Sequence, residues 1–431
     1  MSRSFHVAAI QIDTEFSSCA FSTKHDFSKD PKKILVISWT NRKLVSSTTS
    51  TCILFDSGGT FHSFGYEAEK HYSELVLNDQ HINWYFFKRF PLKLYKSKRL
   101  TRETILEDVN GKKMEAMKVF SSVIGYLKDN MLKEYSRHFI KIYDCDITWV
   151  LTAPVILYDT VKQFMRGAAE KVGICGNRLL IVPEPEAASV YCMYQPVQHV
   201  YKSRLFDPGA KYMIIIAEDR TVEMTVYEVQ HDVILKELYK ADKCHWGGTI
   251  VDESFLSLLT DIVGKDVMDA FRSNYSDSFI DLLRDFGQKK HSIRPDEIGK
   301  ITIQLPCHLL FAFNEINPEG EIKANIESKP KYKNKITLLK DKLRMEAHIA
   351  ISLFEESCSK IIYHIQELFR YPNLKDVSSI LLVGEYAESN VLQANIRKAF
   401  YDKMLFVPDP AEYAVLKGAV LYGQRQQKDW I

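Results

Sequence analysis

The sequence carries almost no excess charge of either sign. Its 57 lysines and arginines stand against 55 aspartates and glutamates, a formal net charge of +2 over 431 residues. That balance argues against a general binder of nucleic acid or of membrane surfaces, which needs a basic field. No CxxC pair occurs among the eight cysteines, Cys19, Cys52, Cys145, Cys175, Cys192, Cys244, Cys307 and Cys358. Scattered thiols of this kind read as reduced cysteines of a cytosolic protein. The Cys244-His245 pair lacks two further ligands at zinc spacing, so a structural role is the better reading. No apolar run reaches the length of a membrane-spanning helix, and Met1-Ser2-Arg3-Ser4-Phe5-His6 has no secretory apolar region. The P-loop GxxxxGK[ST], the Gly-x-Ser-x-Gly elbow and HExxH are all missing.

What is present is organised around residues 147–192, ITWVLTAPVILYDTVKQFMRGAAEKVGICGNRLLIVPEPEAASVYC. A short apolar run from Ile147 to Leu151 is stopped by Thr152-Ala153-Pro154. Val161, Phe164, Met165, Ala168, Ala169 and Val172 then recur at helical spacing, with Lys162, Gln163, Arg166 and Lys171 outside the stripe. Gly173 and Gly176 end that helix, and Leu179 to Val182 forms a second buried strand. Two short apolar strands joined through a helix are a parallel pair, because a parallel connection needs a long crossover. Pro183-Glu184-Pro185-Glu186 breaks the strand and opens a helix of small residues at Ala187-Ala188-Ser189, where two backbones approach closely. This is an α/β core at a junction of lobes, and a chain of this length is expected to hold two.

The rest of the chain repeats that design. Residues 6–22, HVAAIQIDTEFSSCAFS, read as strand, polar turn and strand, and 212–229, YMIIIAEDRTVEMTVYEV, read the same way. A strand–turn–strand unit at the head of each half predicts an internally duplicated fold. Ser57-Gly58-Gly59 is a hairpin turn. Residues 83–95, NWYFFKRFPLKLY, are aromatic and basic; strands packed on an aromatic core explain them better than stacking on nucleic acid. A long amphipathic helix is expected from about Lys113 to Tyr135, a polar crossing between lobes over 195–208, and a mixed charged subdomain over 263–330. Residues 337–369 are expected to be a long helical stretch, with apolar positions at Leu339, Leu343, Ala347, Ala350, Phe354, Ile361 and Ile365. Residues 379–384, SILLVG, are a buried strand ending in glycine. Lys329, Lys331, Lys333 and Lys335 read as a solvated loop.

Six segments, LTAPVILYDTVKQFMRGAA, PEPEAASVYC, GGTFHSFGYEA, WGGTIVDESF, LLVGEYAES and AVLKGAVLYG, taken in order over about 6–423, resemble the heat shock 70 kDa protein 12 family. The resemblance implies an α/β fold of the actin-like ATPase type, with ribonuclease H-like duplicated lobes and a nucleotide cleft between the two. It places an N-terminal lobe at 1–195 and a C-terminal lobe at 205–423 with an inserted subdomain at about 253–335. Residues 424–431 are then expected to be a short tail, without a peptide-clamping domain. In that fold, glycine-rich turns bring backbone amides against phosphates, and an aspartate in each turn organises Mg²⁺ and the attacking water.

The departures from that pattern fall on the chemistry. The first turn's aspartate, glycine and threonine correspond to Gln11, Asp13 and Thr14, so only the threonine matches. The second turn's aspartate corresponds to Ile216, and its three glycines to Glu218, Asp219 and Arg220. New carboxylates there are expected to repel a polyphosphate, with Arg220 offsetting part of the charge. The lysine near the γ-phosphate falls at Glu69, with Lys70 one position off. Glu184 stands where a carboxylate lies near the magnesium water shell.

On the nucleoside side, Lys289 and Lys290 resemble the basic pair that packs on adenine, Gly247 and Gly248 the glycine turn, and Gly384 the first glycine of the adenosine loop. Glu385 replaces that loop's second glycine, and Glu388 matches a base-stacking arginine. For the lysines the alternative is a solvated helix face, and for the glycines turn geometry alone. Thr14, Glu184, Gly247, Gly248, Lys289, Lys290 and Gly384 are thus the candidate nucleotide-binding residues. No catalytic residue and no protein metal site is assigned.

Three readings follow. The first is a degenerate ATPase that acts as a chaperone-like or regulatory module with protein partners. The second is an ATP-binding chaperone relative whose lobes close on nucleotide. The third and weakest is a sugar-kinase-like phosphotransferase, which needs the metal-organising carboxylates that are missing. The expected ligand is weakly held ATP or ADP, with Mg²⁺ only alongside nucleotide.

Overall fold

A computed structural model describes residues 6–41, 44–92, 100–101, 103–138, 146–155, 158–195, 205–231, 234–240 and 243–426. They form a mixed α/β protein of several sheets and divide into two compact units. One is Met1–Lys202 with Tyr413–Ile431, the other Ser203–Glu412. Among the described residues, no helix is long and apolar enough to cross a membrane.

In the first unit, β1 (His6–Ile12) and β2 (Phe16–Thr23) form the expected hairpin, with His6 opposite Thr23 and Ile12 opposite Ser17. β3 (Leu35–Val36) continues on β2. On the other side, β4 (Ile147–Ala153) and β5 (Leu179–Pro183) add as parallel strands, giving the order β5-β4-β1-β2-β3. Side chains alternate across this sheet. Ala8, Ile10, Trp149 and Leu151 enter a core with Val123 and Leu127 of α1 (Ala116–His138) and Met165 and Ala169 of α2 (Tyr158–Lys171). α1 begins at Ala116 rather than near Lys113, because Lys113–Glu115 pairs as a strand with Ile105–Glu107.

The opposite face, Val7 and Val150, meets the C-terminal helix Ala414–Gln426. A side chain at Gly423 would lie 2.6 Å from Val7 and 2.8 Å from Val150. That helix was expected with the second half of the chain; it packs instead in the first unit, on α3 (Glu184–Met193). The small residues of PEPEAAS make this contact close: a Cβ on Gly418 would sit 1.8 Å from the Ala187 carbonyl oxygen. The aromatic stretch behaves as core where it is described. Phe87 is buried, and Phe86 stacks on Tyr72 at 4.2 Å; residues 93–95 lie outside the described residues.

The second unit repeats the plan. β6 (Lys211–Ala217) and β7 (Val222–Val229) form the second hairpin, and β8 (Leu235–Lys240) pairs with β7. A separate three-stranded sheet comprises β9 (Lys300–Gln304), β10 (Ile336–Leu339) and β11 (Lys342–Glu346). β12 (Ser379–Val383) runs parallel to β6, and β13 (Met404–Phe406) parallel to β12. The main sheet is therefore β8-β7-β6-β12-β13, the same sequence of antiparallel and parallel neighbours as in the first unit. Most of the polar crossing expected over 195–208 lies outside the described residues.

The long helix expected over 337–369 is not formed as such. Its first part is the β10–β11 hairpin, turning at Lys340 with φ +56°, and only then come Ala347–Ser352 and Glu355–Leu368 as two helices. The reason is periodicity. Ile336 and Leu338, like Leu343 and Met345, are buried every second residue, a strand pattern that ends where the 3.6-residue pattern begins.

Two glycine substitutions test this packing by urea denaturation. Gly418→Ala is expected to lower the unfolding free energy by about 3 kcal/mol, at the severe end for an inserted methyl group because its neighbour is backbone. Gly287→Ala, with nothing within 4 Å of its added Cβ, is expected to stabilise by about 0.5–1 kcal/mol as helix propensity rises. An unchanged midpoint for Gly418→Ala would show that the two helix backbones do not touch.

Candidate functional site

In the second unit, the turn between β6 and β7 is Glu218-Asp219-Arg220-Thr221, closed by the Glu218 amide donating to the Thr221 carbonyl at 2.8 Å. The glycine turn Gly247-Gly248 leads into α4 (Thr249–Val263) and lies directly on it. A Cβ at Gly247 would fall 2.2 Å from the Glu218 carbonyl oxygen and 2.6 Å from that of Asp219. At Gly248 it would fall 2.5 Å from the Asp219 carboxylate. These glycines are required, but by the neighbouring turn. The first amides of α4, the groups a helix would offer to an anion, are also engaged. Thr249 donates to the Asp219 carbonyl at 2.6 Å, Ile250 to Gly247 at 3.2 Å and Val251 to Gly248 at 3.0 Å.

Lys290, expected against adenine, is buried at 2% exposure near the end of α5 (Ser276–Ser292). Its ammonium donates to Asp219 Oδ1 at 2.8 Å, to Asp252 Oδ2 at 2.9 Å and to the Gly248 carbonyl at 3.2 Å. A lysine has three N–H bonds to give, and these account for them. This side chain, expected against a base, is drawn inward onto oxygen acceptors of its own unit. It neutralises two half-buried carboxylates that lie close together. Lys289, one position along and about 100° around the helix, is exposed.

The carboxylates of the second turn were expected to point at a phosphate. They face inward. Asp219 is on Lys290, and Glu218 accepts the Glu385 amide at 3.3 Å. Gly384 has φ +101°, and a Cβ there would lie 2.4 Å from the Ala217 carbonyl oxygen, so this glycine too answers to turn geometry and close packing. Glu388, at the position of the base-stacking arginine, caps the Ala411 amide at 2.9 Å.

In the first unit the Thr14 amide is taken by the Asp13 carboxylate at 2.7 Å, and Thr14 is buried. Glu184 is buried in the first turn of α3. Glu69, the counterpart of the γ-phosphate lysine, is held by Lys88 at 3.0 Å and Ser50 at 2.9 Å, while Lys70 is exposed beside Glu74.

The structure thus brings Gly247, Gly248, Lys290 and Gly384 together within residues 203–412, and Lys289 stands apart from them. Thr14 and Glu184 belong to the other unit. Asp252, Glu385 and His291 complete the cluster and were not singled out from the sequence as ligands or partners. Asp252 sits in the first turn of α4, in WGGTIVDESF, a segment read for its glycines. Its lysine partner is 38 residues away, a separation with no periodic signal.

No protein-family model matches the chain. Individual relatives do. Heat shock 70 kDa protein 12A of Mus musculus is 30% identical over 97% of this chain and 69% of its own length. Heat shock 70 kDa protein 12B of Homo sapiens is 30% identical over 97% of this chain and 68% of its own length. Heat shock 70 kDa protein 12A of Homo sapiens is 29% identical over the same share as the mouse protein. The chain belongs to the heat shock 70 kDa protein 12 family.

For a heat shock 70 kDa-like member the implied ligand is a nucleoside polyphosphate, and the residues of the second unit do not fit one. The glycine turn is covered by carbonyls and a carboxylate, the α4 amides are bonded internally, and the buried cation is already shared.

Electrostatics in the cluster favour protonation. Burial, reinforced by Asp219, raises the Asp252 carboxyl to about 6 although Lys290 pulls it down. Burial, again with Asp219, raises Glu385 to about 7. For Lys290 burial works against the ammonium, but Asp219 and Asp252 together outweigh it and its proton affinity rises. Because Glu385 holds its proton more tightly folded than unfolded, its contribution to stability is complete below about 4.5 and is lost as pH rises through about 7. Glu385→Gln is therefore expected to match the wild type in chemical denaturation near pH 4.5. By about pH 8 it should be more stable by about 1–2 kcal/mol, allowing for the part of Glu385 still open to water. A difference independent of pH would show that Glu385 is not the group responsible.

Proposed function

We propose that this protein is a heat shock 70 kDa-like, actin-like-fold protein that has lost ATPase turnover and works as a cytoplasmic regulatory or chaperone-like interaction module. The family relationship and the repeated β8-β7-β6-β12-β13 and β5-β4-β1-β2-β3 plan support the fold. The observation that carries the loss of turnover is the Lys290–Asp219–Asp252 ion cluster. It occupies the turn where the resemblance calls for a glycine cradle, so the donors a phosphate would need already have partners.

Phosphoryl transfer in this class rests on positioning water and metal against the γ-phosphate, with little covalent work for the protein. Ile216 cannot hold a metal water, and Gln11 brings no charge to one. Losing one such preorganised group commonly costs a factor of about 10² to 10³ in rate, and here several are replaced together. Glu184, buried at the start of α3, is the one feature that favours the alternative of a nucleotide-binding chaperone relative.

Purified protein is expected to release no phosphate from Mg²⁺-ATP above the buffer rate, and isothermal titration of ATP and ADP, with and without Mg²⁺, should give no saturable heat at micromolar concentrations. Glu184→Gln should leave both results unchanged. Robust wild-type hydrolysis abolished by Glu184→Gln would overturn the reading and leave the ATP-driven alternative in place.

A further inference from the structure

Lys290 has a property that loss of a ligand site does not require. A degraded phosphate turn needs only to be unable to hold phosphate; it does not need a buried cation at its centre. Here the ammonium joins segments far apart in the chain: Asp219 of the hairpin turn, Gly248 at the start of α4 and Asp252 one turn into it. The stem of Lys290 is set by an aromatic contact one turn earlier on α5. Phe286 stacks face to face on Phe255 of α4 at 4.0 Å with 10° between the rings. Phe286 and Lys290 are four apart on α5, and Asp252 and Phe255 three apart on α4, so each pair shares a helix face. The stacked rings therefore deliver the ammonium to the carboxylates without help from any ligand. The acceptors around Nζ are all oxygens, two carboxylates and one backbone carbonyl, the donor set a hard divalent cation takes.

We propose that Lys290 is a tethered cation: it performs, from within the chain, the charge-neutralising and turn-clamping role of a bound cation, and so locks the β6–β7 turn onto the start of α4 irrespective of any metal or nucleotide supplied. The proposal rests on the reading of a phosphate turn without turnover and adds a regulatory consequence, that this half of the protein is insensitive to such ligands. The lock is constitutive because the cation cannot diffuse away.

The test is amide hydrogen exchange of peptides covering 217–222 and 245–253, in wild type and in Lys290→Ser, with and without millimolar CaCl₂ or MgCl₂ and with KCl as the ionic-strength control. The wild type is expected to exchange at the same rate in all conditions. In Lys290→Ser the same peptides should exchange about tenfold faster or more, since a turn held by two half-buried carboxylates has lost their counter-charge. Added Ca²⁺ or Mg²⁺, entering the vacated oxygen cage, should return the rate toward wild type, and KCl should not. Wild-type protection that responds to divalent cations or ATP overturns the proposal, as does a Lys290→Ser protein exchanging like wild type or showing no divalent rescue.

Should the serine variant fail to fold, Lys290→Met with Asp252→Asn removes the ammonium and one carboxylate together. Faster exchange without divalent rescue is then expected, and unchanged exchange counts against the lock. Phosphate release from Mg²⁺-ATP, measured on the same preparations, separates the two ideas: wild-type turnover would defeat the functional reading, whereas silent ATPase with an unaltered Lys290→Ser turn defeats only the tether.

Discussion

A single buried ammonium sets the terms for the second unit. Taking a lysine out of water is unfavourable, and so is placing Asp219 and Asp252 within reach of one another. Each cost is offset only if the three groups are brought together, with the Gly248 carbonyl taking the remaining N–H. The turn between β6 and β7, the start of α4 and the end of α5 are therefore positioned by one another. The apolar part of the same contact, Phe255 on Phe286, supplies the non-directional attraction. The ion cluster supplies the direction, because it is satisfied in one arrangement only.

That constraint explains why the glycines and the carboxylates must be read together. Gly247 and Gly248 allow the hairpin turn to approach to a distance that no side chain permits, and the space so created is filled by Asp219 and Lys290. Glu218 does the same on the other flank, where Gly384 leaves room for its carboxylate and the Glu385 amide donates to it. In a phosphate cradle, glycines let a ligand reach backbone amides. Here they let the protein's own acidic turn do so. The charge that was expected to repel a ligand meets internal partners, Lys290 at Asp219 and the Glu385 amide at Glu218.

The parts of the fold that follow local rules were legible in the sequence. The two hairpins are alternating strands around polar turns, and the β4–α2–β5 crossover declares itself by a helical stripe between two short apolar runs. The misreading at 337–369 came from Leu339 and Leu343, whose four-residue spacing imitates a helix, while the burial of Ile336, Leu338, Leu343 and Met345 follows a strand. The site was legible only as a set of positions. Resemblance located Gly247, Gly248, Lys290 and Gly384, but not where the Lys290 chain turns. Its partners lie 71 and 38 residues away and leave no periodic trace. Asp252 was invisible for the same reason: an aspartate in a helix's first turn is ordinarily explained by the helix dipole.

The internal partners also bear on how such a protein keeps its shape without a ligand. A cradle of exposed amides and a pocket of uncompensated carboxylates are both costly when empty, the first through unsatisfied donors and the second through repulsion. A ligand-dependent protein tolerates that cost in the free state because binding removes it. In this unit the amides of Thr249, Ile250, Val251 and Glu385 already have acceptors, and the carboxylates of Glu218, Asp219 and Asp252 already have donors. Glu385, in the same cluster, is held toward its protonated form mainly by its burial. The acidic turn of the second unit is thus matched by donors from the chain itself, Lys290 for Asp219 and Asp252 and the Glu385 amide for Glu218.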